Sequence, residues 1–304
     1  MNNNPEITII ITTRNRGNII VNALDSIYRS NYKYFNVVIT DQSTDNQTEL
    51  TIERFKDNPT FKYLRSNTTG AAIGRNIAIE NADTELIGII DDDCVIPEYW
   101  IETLINAFSI HHNIGIIFGN VKPGKYDTSK GFIPSYVREN NYLAKNIYDK
   151  NNVEGLSACM GIKKSVWEKL SGFDTMLGGG AFFRSGEESD LTIKALIKGF
   201  YVYECTSFCL THNGFRVWED AYKLVDSYWY GTGATFAKYF KCGELSIVLI
   251  LAKLAYKWAF KPSRVIKSLG TNQYKLRRLN SFCRGFYSGL KVPVDRKKQL
   301  FIES

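Results

Sequence analysis

Apolar residues alternate between short β-branched runs and helical stripes along the first 120 residues. Ile7-Thr8-Ile9-Ile10-Ile11 has strand character and stops at the polar Thr12-Thr13-Arg14-Asn15. Ile20, Leu24, Ile27 and Tyr28 then share one face of a helix. A second strand, Phe35 to Thr40, ends at Asp41. Glu49 to Phe55 predicts a short helix, Phe61 to Leu64 a third strand, and Ala71 to Ala82 a helix opened by a glycine-containing turn. Leu86-Ile87-Gly88-Ile89-Ile90 is a nearly continuous apolar strand, as at the buried centre of a parallel sheet. Strands alternating with helices predict right-handed crossovers and a doubly wound α/β sheet. Ligands of such sheets bind beyond the carboxyl ends of the strands. Thr12 to Asn15, Asp41 to Asp45 and Asp91-Asp92-Asp93 all fall there and should converge on one cleft.

Beyond Asn120 the pattern weakens, and Lys122 to Asn151 reads as loop. A short helix is expected at Ser165 to Lys169, and a longer one at Glu188 to Lys198 stopped by Gly199. Tyr201 to Leu210 is strand-like and delivers His212. From Ala221 apolar residues recur at helical spacing, which divides the chain into 1–220 and a helical extension, 221–304.

Charge follows the same division. The net +7 conceals about +12 in 221–304, from 16 Lys/Arg and 4 Asp/Glu, over an acidic 1–220. That asymmetry suggests a localised contact surface, not nucleic-acid binding. In the tail, Leu245, Val248, Leu249, Ala252 and Tyr256 form an apolar stripe beside Lys253, Lys257 and Lys261, with Trp258 and Phe260 following. Lys275, Arg277, Arg278 and Arg284 form a second basic patch before Phe286 and Tyr287. Two readings fit: helices lying on an anionic membrane surface, or a stripe packed on the rest of the protein with wet lysines. The run Leu245 to Ala252 is too short to span a bilayer, and the start of the chain lacks a signal-peptide pattern. With 44% hydrophobic residues the chain can bury a sizeable core, and its six cysteines show no zinc-like pair or disulfide framework. A cytoplasmic protein, peripheral on the inner face of the membrane, is the expectation.

Three adjacent carboxylates after an apolar strand repel one another and are costly to hold near the interior without a cation. Their hard oxygens suit Mg2+ or Mn2+. Alone, Asp91-Asp92-Asp93 also reads as a solvated acidic turn before Pro97.

The motifs in order are Ile7 to Arg16, Thr40-Asp41-Gln42-Ser43-Thr44-Asp45, Gly74-Arg75-Asn76, Asp91-Asp92-Asp93, Gly172-Phe173-Asp174, Gly186 to Leu191 and His212 to Arg216. Over about residues 5–218 this series resembles family 2 glycosyltransferases. The resemblance implies a GT-A fold, a Rossmann-like mostly parallel central sheet with flanking helices, here with a basic helical C-terminal extension. It implies a nucleotide-diphosphate sugar donor, a glycan or glycolipid acceptor, and Mn2+ or Mg2+. Asp41 matches the residue that binds the nucleotide base. Thr13 and Arg14 stand in the first donor motif, where Arg14 replaces the usual aromatic and offers a guanidinium plane for stacking. Arg75 matches a position near the donor, or is a surface charge on its helix. Asp93 matches the metal ligand, Asp91 and Asp92 approach the ribose, and His212 matches a histidine completing the metal site. Glu188 matches the catalytic base, with one more methylene than the usual Asp, which leaves Glu187 and Asp190 as rivals. Gly178-Gly179-Gly180 and Gly186 imply close backbone approach or a mobile loop. The implied reaction is one inverting displacement. Phe215-Arg216-Val217-Trp218 lacks the Gln-x-x-Arg-Trp pattern of processive members, so a single sugar is added. The alternatives are a nucleotidyltransferase, or a catalytically silent glycan- or nucleotide-binding module.

Overall fold

The computed structural model describes residues 6–260 and 271–303, with the side chains of 255–260 and 271–274 excepted. Tyr256, Lys257, Trp258, Phe260 and Lys261 of the expected stripe, and Met1 to Pro5, lie outside the described residues or side chains. The first half contains β1 (Ile7–Thr13), α1 (Gly17–Tyr28), β2 (Phe35–Asp41), α2 (Gln47–Thr51), β3 (Phe61–Arg65), α3 (Ala71–Glu80), β4 (Leu86–Asp91), β5 (Cys94–Val95) and α4 (Trp100–Ser109). Next come β6 (Ile114–Pro123), β7 (Gly131–Phe132), β8 (Tyr142–Ala144), β9 (Cys159–Lys163), α5 (Lys164–Lys169), α6 (Glu187–Ile197) and β10 (Tyr201–His212). The chain ends with β11 (Arg216–Val217), α7 (Trp218–Cys242), α8 (Ser246–Phe260), α9 (Thr271–Lys291), β12 (Val294–Asp295) and β13 (Leu300–Phe301).

Among the described residues the main sheet runs β3-β2-β1-β4-β9-β6-β10-β5, with β8 also pairing β10. The block β3-β2-β1-β4 is parallel, as the strand–helix alternation predicts. β1 has no exposed isoleucine because both its faces are covered. Ile9 and Ile11 pack with Leu24, Trp100 and Leu104, while Ile10 packs with Ala78, Ile79 and Leu191. β9 was not expected. It inserts antiparallel between β4 and β6, so the sheet is mixed at its middle. Five residues beside a helix start carry too little pattern to announce a strand.

Two local expectations change. The helix over Glu49 to Phe55 becomes the five-residue α2 followed by a 3-10 turn at Glu53–Phe55, the tighter geometry common at helix ends. The expected loop from Lys122 also orders in part: β6 runs to Pro123, β7 and β8 pair with later strands, and a capping box at Asn146 and Asp149 starts a short 3-10 segment.

α7 begins before Ala221 and runs through the expected division at 220/221. It packs so tightly on α9 that a Cβ at Gly285 would meet the Tyr230 carbonyl oxygen at 1.9 Å. α8 is apolar round most of its circumference. It buries Ile247 and Ile250 and turns Val248 and Leu249 outward, at 51% and 54% exposure, next to Leu245 just before it at 82%. The stripe singled out by spacing is therefore the outer face. Every described helix falls short of the length and apolarity needed to cross a membrane.

Candidate active site

Strand register builds the cleft. Thr12 lies level with Thr40 on one side and Asp91 on the other, and Thr13 lies level with Asp41. The three polar clusters therefore leave the sheet at one edge. Beyond it, Asn15 takes the left-handed conformation (φ 54°), where asparagine is tolerated better than most residues. Its amide donates to Ser43 Oγ at 2.7 Å, and its Oδ1 accepts from the Thr44 amide at 2.8 Å. Thr13 Oγ1 donates to Asp92 Oδ2 at 2.7 Å. Burial raises the Asp92 pKa to about 6 despite the nearby Arg16.

β5 pairs with the end of β10, setting His212 opposite Cys94 and beside Asp93. His212 Nε2 and Asp93 Oδ1 are 3.2 Å apart, yet Asp93 Oδ1 is buried without a hydrogen-bond partner. His212 Nδ1 lies 2.8 Å from the Pro134 carbonyl, which places a proton on Nδ1 and leaves Nε2 to face the carboxylate. Burial opposes charging either group. Asp93 nonetheless draws the His212 pKa up, and His212 with Arg16 holds Asp93 down. Gly214 keeps the space beside them clear: a Cβ there would stand 2.6 Å from His212 Nε2 and 2.7 Å from Asp93 Oδ2. Cys94 contributes the third potential ligand atom within 4.8 Å, but burial raises its thiol pKa and keeps it neutral. An orphaned carboxylate oxygen facing an imidazole nitrogen fits a hard divalent ion.

Arg75 is only 4% exposed, which rules out the surface-charge alternative. Its Nη2 lies 3.2 Å from Asp91 Oδ1, and its Nη1 donates to Glu187 Oε1 at 3.1 Å. One guanidinium thus joins the acid triplet to the first turn of α6. Gly186 precedes that turn at φ 101° and sits against Gly231 of α7, so both backbone conformation and space require glycine. Glu187 is buried; burial and Glu188 push its pKa up to about 8 against the pull of Arg75. Glu188 is half-buried and accepts from Ser157 Oγ at 2.6 Å through Oε1.

Asp190 is placed differently. It is fully buried, 2.6 Å from Lys238 Nζ and 3.4 Å from Lys194 Nζ, and accepts from Tyr239 Oη at 2.8 Å. Lys238 also reaches Asp174 Oδ2 at 2.6 Å, which accepts from the Phe301 amide. The rival base is therefore part of an internal ion cluster, out of reach of an acceptor. Asp41 is fully buried too, and accepts from the Ser43 amide, Tyr63 Oη and Arg65 Nη1 at 2.8, 2.7 and 2.9 Å. Arg14 is exposed at the rim. Sequence reasoning gave no role to Arg16, Ser157, Pro134, Lys238 or Tyr239. Arg16 is the last residue of the first motif, whereas the others carry no local signal.

A family model described as glycosyl transferase family 2 matches residues 8–171, more than half of the chain. The poly(ribitol-phosphate) beta-N-acetylglucosaminyltransferase TarP of Staphylococcus aureus is 29% identical over 171 residues, 54% of this chain and 50% of TarP. The chain spans half or less of the length of the first curated relatives it matches. S. aureus TarS, solved with UDP-GlcNAc, superposes with a TM-score of 0.65 at 16% identity, covering 92% of this chain and 81% of that one. The mannosyltransferase PcManGT of Pyrobaculum calidifontis, solved with GDP-Man and Mn2+, gives 0.61 at 17% identity, covering 95% and 88%. At these identities the structural likeness concerns the fold, an α/β sheet with flanking helices and a helical C-terminal region, as the sequence-based expectation had it. The chain belongs to glycosyl transferase family 2 and has the GT-A fold.

Proposed function

We propose that this protein moves one sugar from a nucleoside-diphosphate sugar to a hydroxyl of a glycan or glycolipid acceptor, with inversion at the anomeric carbon. Arg75 carries the reading. Its contacts with Asp91 and Glu187 put the acid triplet and the Glu187-Glu188 pair on one cleft. Asp93 and His212 would hold Mn2+ or Mg2+, which neutralises charge developing on the diphosphate as the anomeric bond breaks. Arg14 stands at the nucleoside end, with Thr13 and Asp41 buried behind it and Tyr63 and Arg65 on the Asp41 carboxylate, and Asp91 and Asp92 stand on the ribose side. Ser157 fixes Glu188 through Oε1 and leaves Oε2 to take the acceptor proton as the hydroxyl attacks. TarS with UDP-GlcNAc and PcManGT with GDP-Man support a sugar-nucleotide donor.

Donor-induced stabilisation tests the metal role. A donor at about 100 times its Kd stabilises the fold by about 2.7 kcal/mol. The corresponding melting shift is expected with Mn2+ and lost in EDTA or in Asp93→Asn. An equal shift in EDTA removes the metal from the proposal. Failure of a panel of UDP- and GDP-sugars to give transfer products removes the activity itself.

The location expected is the cytoplasmic face of the membrane, through the outer side of α8 and the basic tail. Leu245, Val248 and Leu249 expose apolar surface, and Lys/Arg near anionic lipid contribute about 1 kcal/mol each. The protein should float with vesicles containing phosphatidylserine at low salt, and less at 0.5 M salt (roughly a 4 Å Debye length). Leu245→Glu with Leu249→Glu should weaken flotation further. A protein left wholly at the bottom of the low-salt gradient refutes this location.

A further inference from the structure

Asp92 and Asp93 already have a cation. Arg16 Nη1 lies 2.8 Å from Asp92 Oδ1 and 2.9 Å from Asp93 Oδ2. The two acids are held from below, with side chains 5% and 9% exposed, whereas the Arg16 side chain is 44% exposed and enters from the solvent side. Arg16 is the N-cap of α1 in a non-helical conformation (φ −136°, ψ 35°), directly after the left-handed Asn15. Its backbone is pinned while its long side chain remains the adjustable partner. Nη1 makes both contacts, so the rest of the guanidinium fork is uncommitted among the described residues.

We propose that Arg16 is the counter-cation of the acid pair in the donor-free protein, and that it is handed over to the donor diphosphate when the divalent ion arrives. The inference rests on the reading that Asp93 and His212 hold that ion. The charges dictate the sequence of preferences. One guanidinium only partly balances two buried carboxylates, and it does not reach Asp93 Oδ1, which faces His212 Nε2 at 3.2 Å. A divalent ion beside Asp93 and His212 balances the cluster better, but meets the positive Arg16 within a few ångströms, so the two cations oppose each other. A diphosphate relieves that opposition, because a planar guanidinium binds phosphate oxygens bidentately. Arg16 thus makes the empty cleft resist free metal and makes metal and donor bind together. No bond is formed or broken in this exchange; it transfers ionic contacts.

Mn2+ binding measured by electron paramagnetic resonance separates the possibilities. Without nucleotide, Arg16→Gln should bind Mn2+ about tenfold more tightly than the wild type, and Arg16→Lys should stay near the wild type because it keeps the charge. Arg16→Gln affinity equal to or below wild type overturns the proposal. In Mn2+-saturated protein, inorganic pyrophosphate should bind Arg16→Gln about tenfold more weakly by calorimetry; equal affinity overturns the hand-over. Asp93→Asn should abolish the Mn2+ signal. If it does not, or if no form binds Mn2+, the underlying metal reading fails and takes this inference with it.

Discussion

Glu188→Gln is expected to lower kcat by about 10²- to 10⁴-fold while leaving donor affinity unchanged, the range for loss of a positioned general base. The amide oxygen of Gln can still accept from Ser157 Oγ, so the side chain keeps its place and only proton acceptance is lost. Glu187→Gln is the necessary companion. Burial and the neighbouring Glu188 raise the Glu187 pKa to about 8, so near neutral pH its carboxyl is mostly protonated, and its side-chain contact is with Arg75 and not with an acceptor. Gln resembles that protonated form, and Glu187→Gln should change kcat only a few-fold. Single-turnover transfer with saturating donor measures both variants. The reverse ranking, with Glu187→Gln nearly inactive and Glu188→Gln nearly normal, moves the base by one residue.

Lys238→Met is expected to destabilise the fold by about 3–5 kcal/mol, the usual effect of removing one partner from a buried ion pair. Lys238 lies in α7, fully buried between Asp174 and Asp190. Met fills similar volume but leaves two buried carboxylates facing each other, with only Lys194 nearby. Chemical denaturation at pH 7 measures the loss; a change below about 1 kcal/mol, within the range of surface pairs, contradicts the role assigned to this cluster. The cluster also predicts acid sensitivity. Burial pushes the Asp190 pKa up, but Lys238 and Lys194 pull harder and the net shift is downward. A carboxyl held below its unfolded value contributes stability above about pH 4, and that contribution disappears as pH falls through the folded value. Wild-type stability should therefore begin to drop below about pH 5 and go on dropping as pH falls through the lowered folded value, and Asp190→Asn should flatten the drop while lowering stability at pH 7.

Both predictions concern the segment from Asp174 to Asp190, which carries the candidate base. Lys238 holds its two ends, the Gly179 carbonyl accepts from the Ala71 amide, and Ser185 Oγ donates to the Ser227 carbonyl. Two of these ties come from α7. α7 thus anchors the segment that carries the candidate base, and a division at 220/221 would cut through its first turn. Family membership also decides against the nucleotidyltransferase alternative, and the transfer assay with sugar nucleotides is the test that separates an enzyme from a silent module.

The parallel half of the sheet was legible because its signals are local. Ile7 to Ile11 and Leu86 to Ile90 are apolar on both faces, the intervening helices are periodic, and polar residues mark each strand end. Those features alone determined that Thr13, Asp41 and Asp91 to Asp93 would meet, since parallel strands in register bring their carboxyl ends to one edge. The sequence could not announce β9, which is short and takes its place only by pairing with β4 and β6. Nor could it choose the buried face of α8, because Ile247 to Leu251 are all apolar and only the neighbouring surface distinguishes them. The same holds for the charges. Asp190 and Glu188 stand two residues apart in one acidic motif, and tertiary packing alone buried the first against Lys238 and left the second beside Ser157 at the cleft. A carboxylate's chemistry depends on what surrounds it. Here those surroundings come from residues about 30 and 50 positions away, linked to the motif by packing and by no periodicity a sequence can carry.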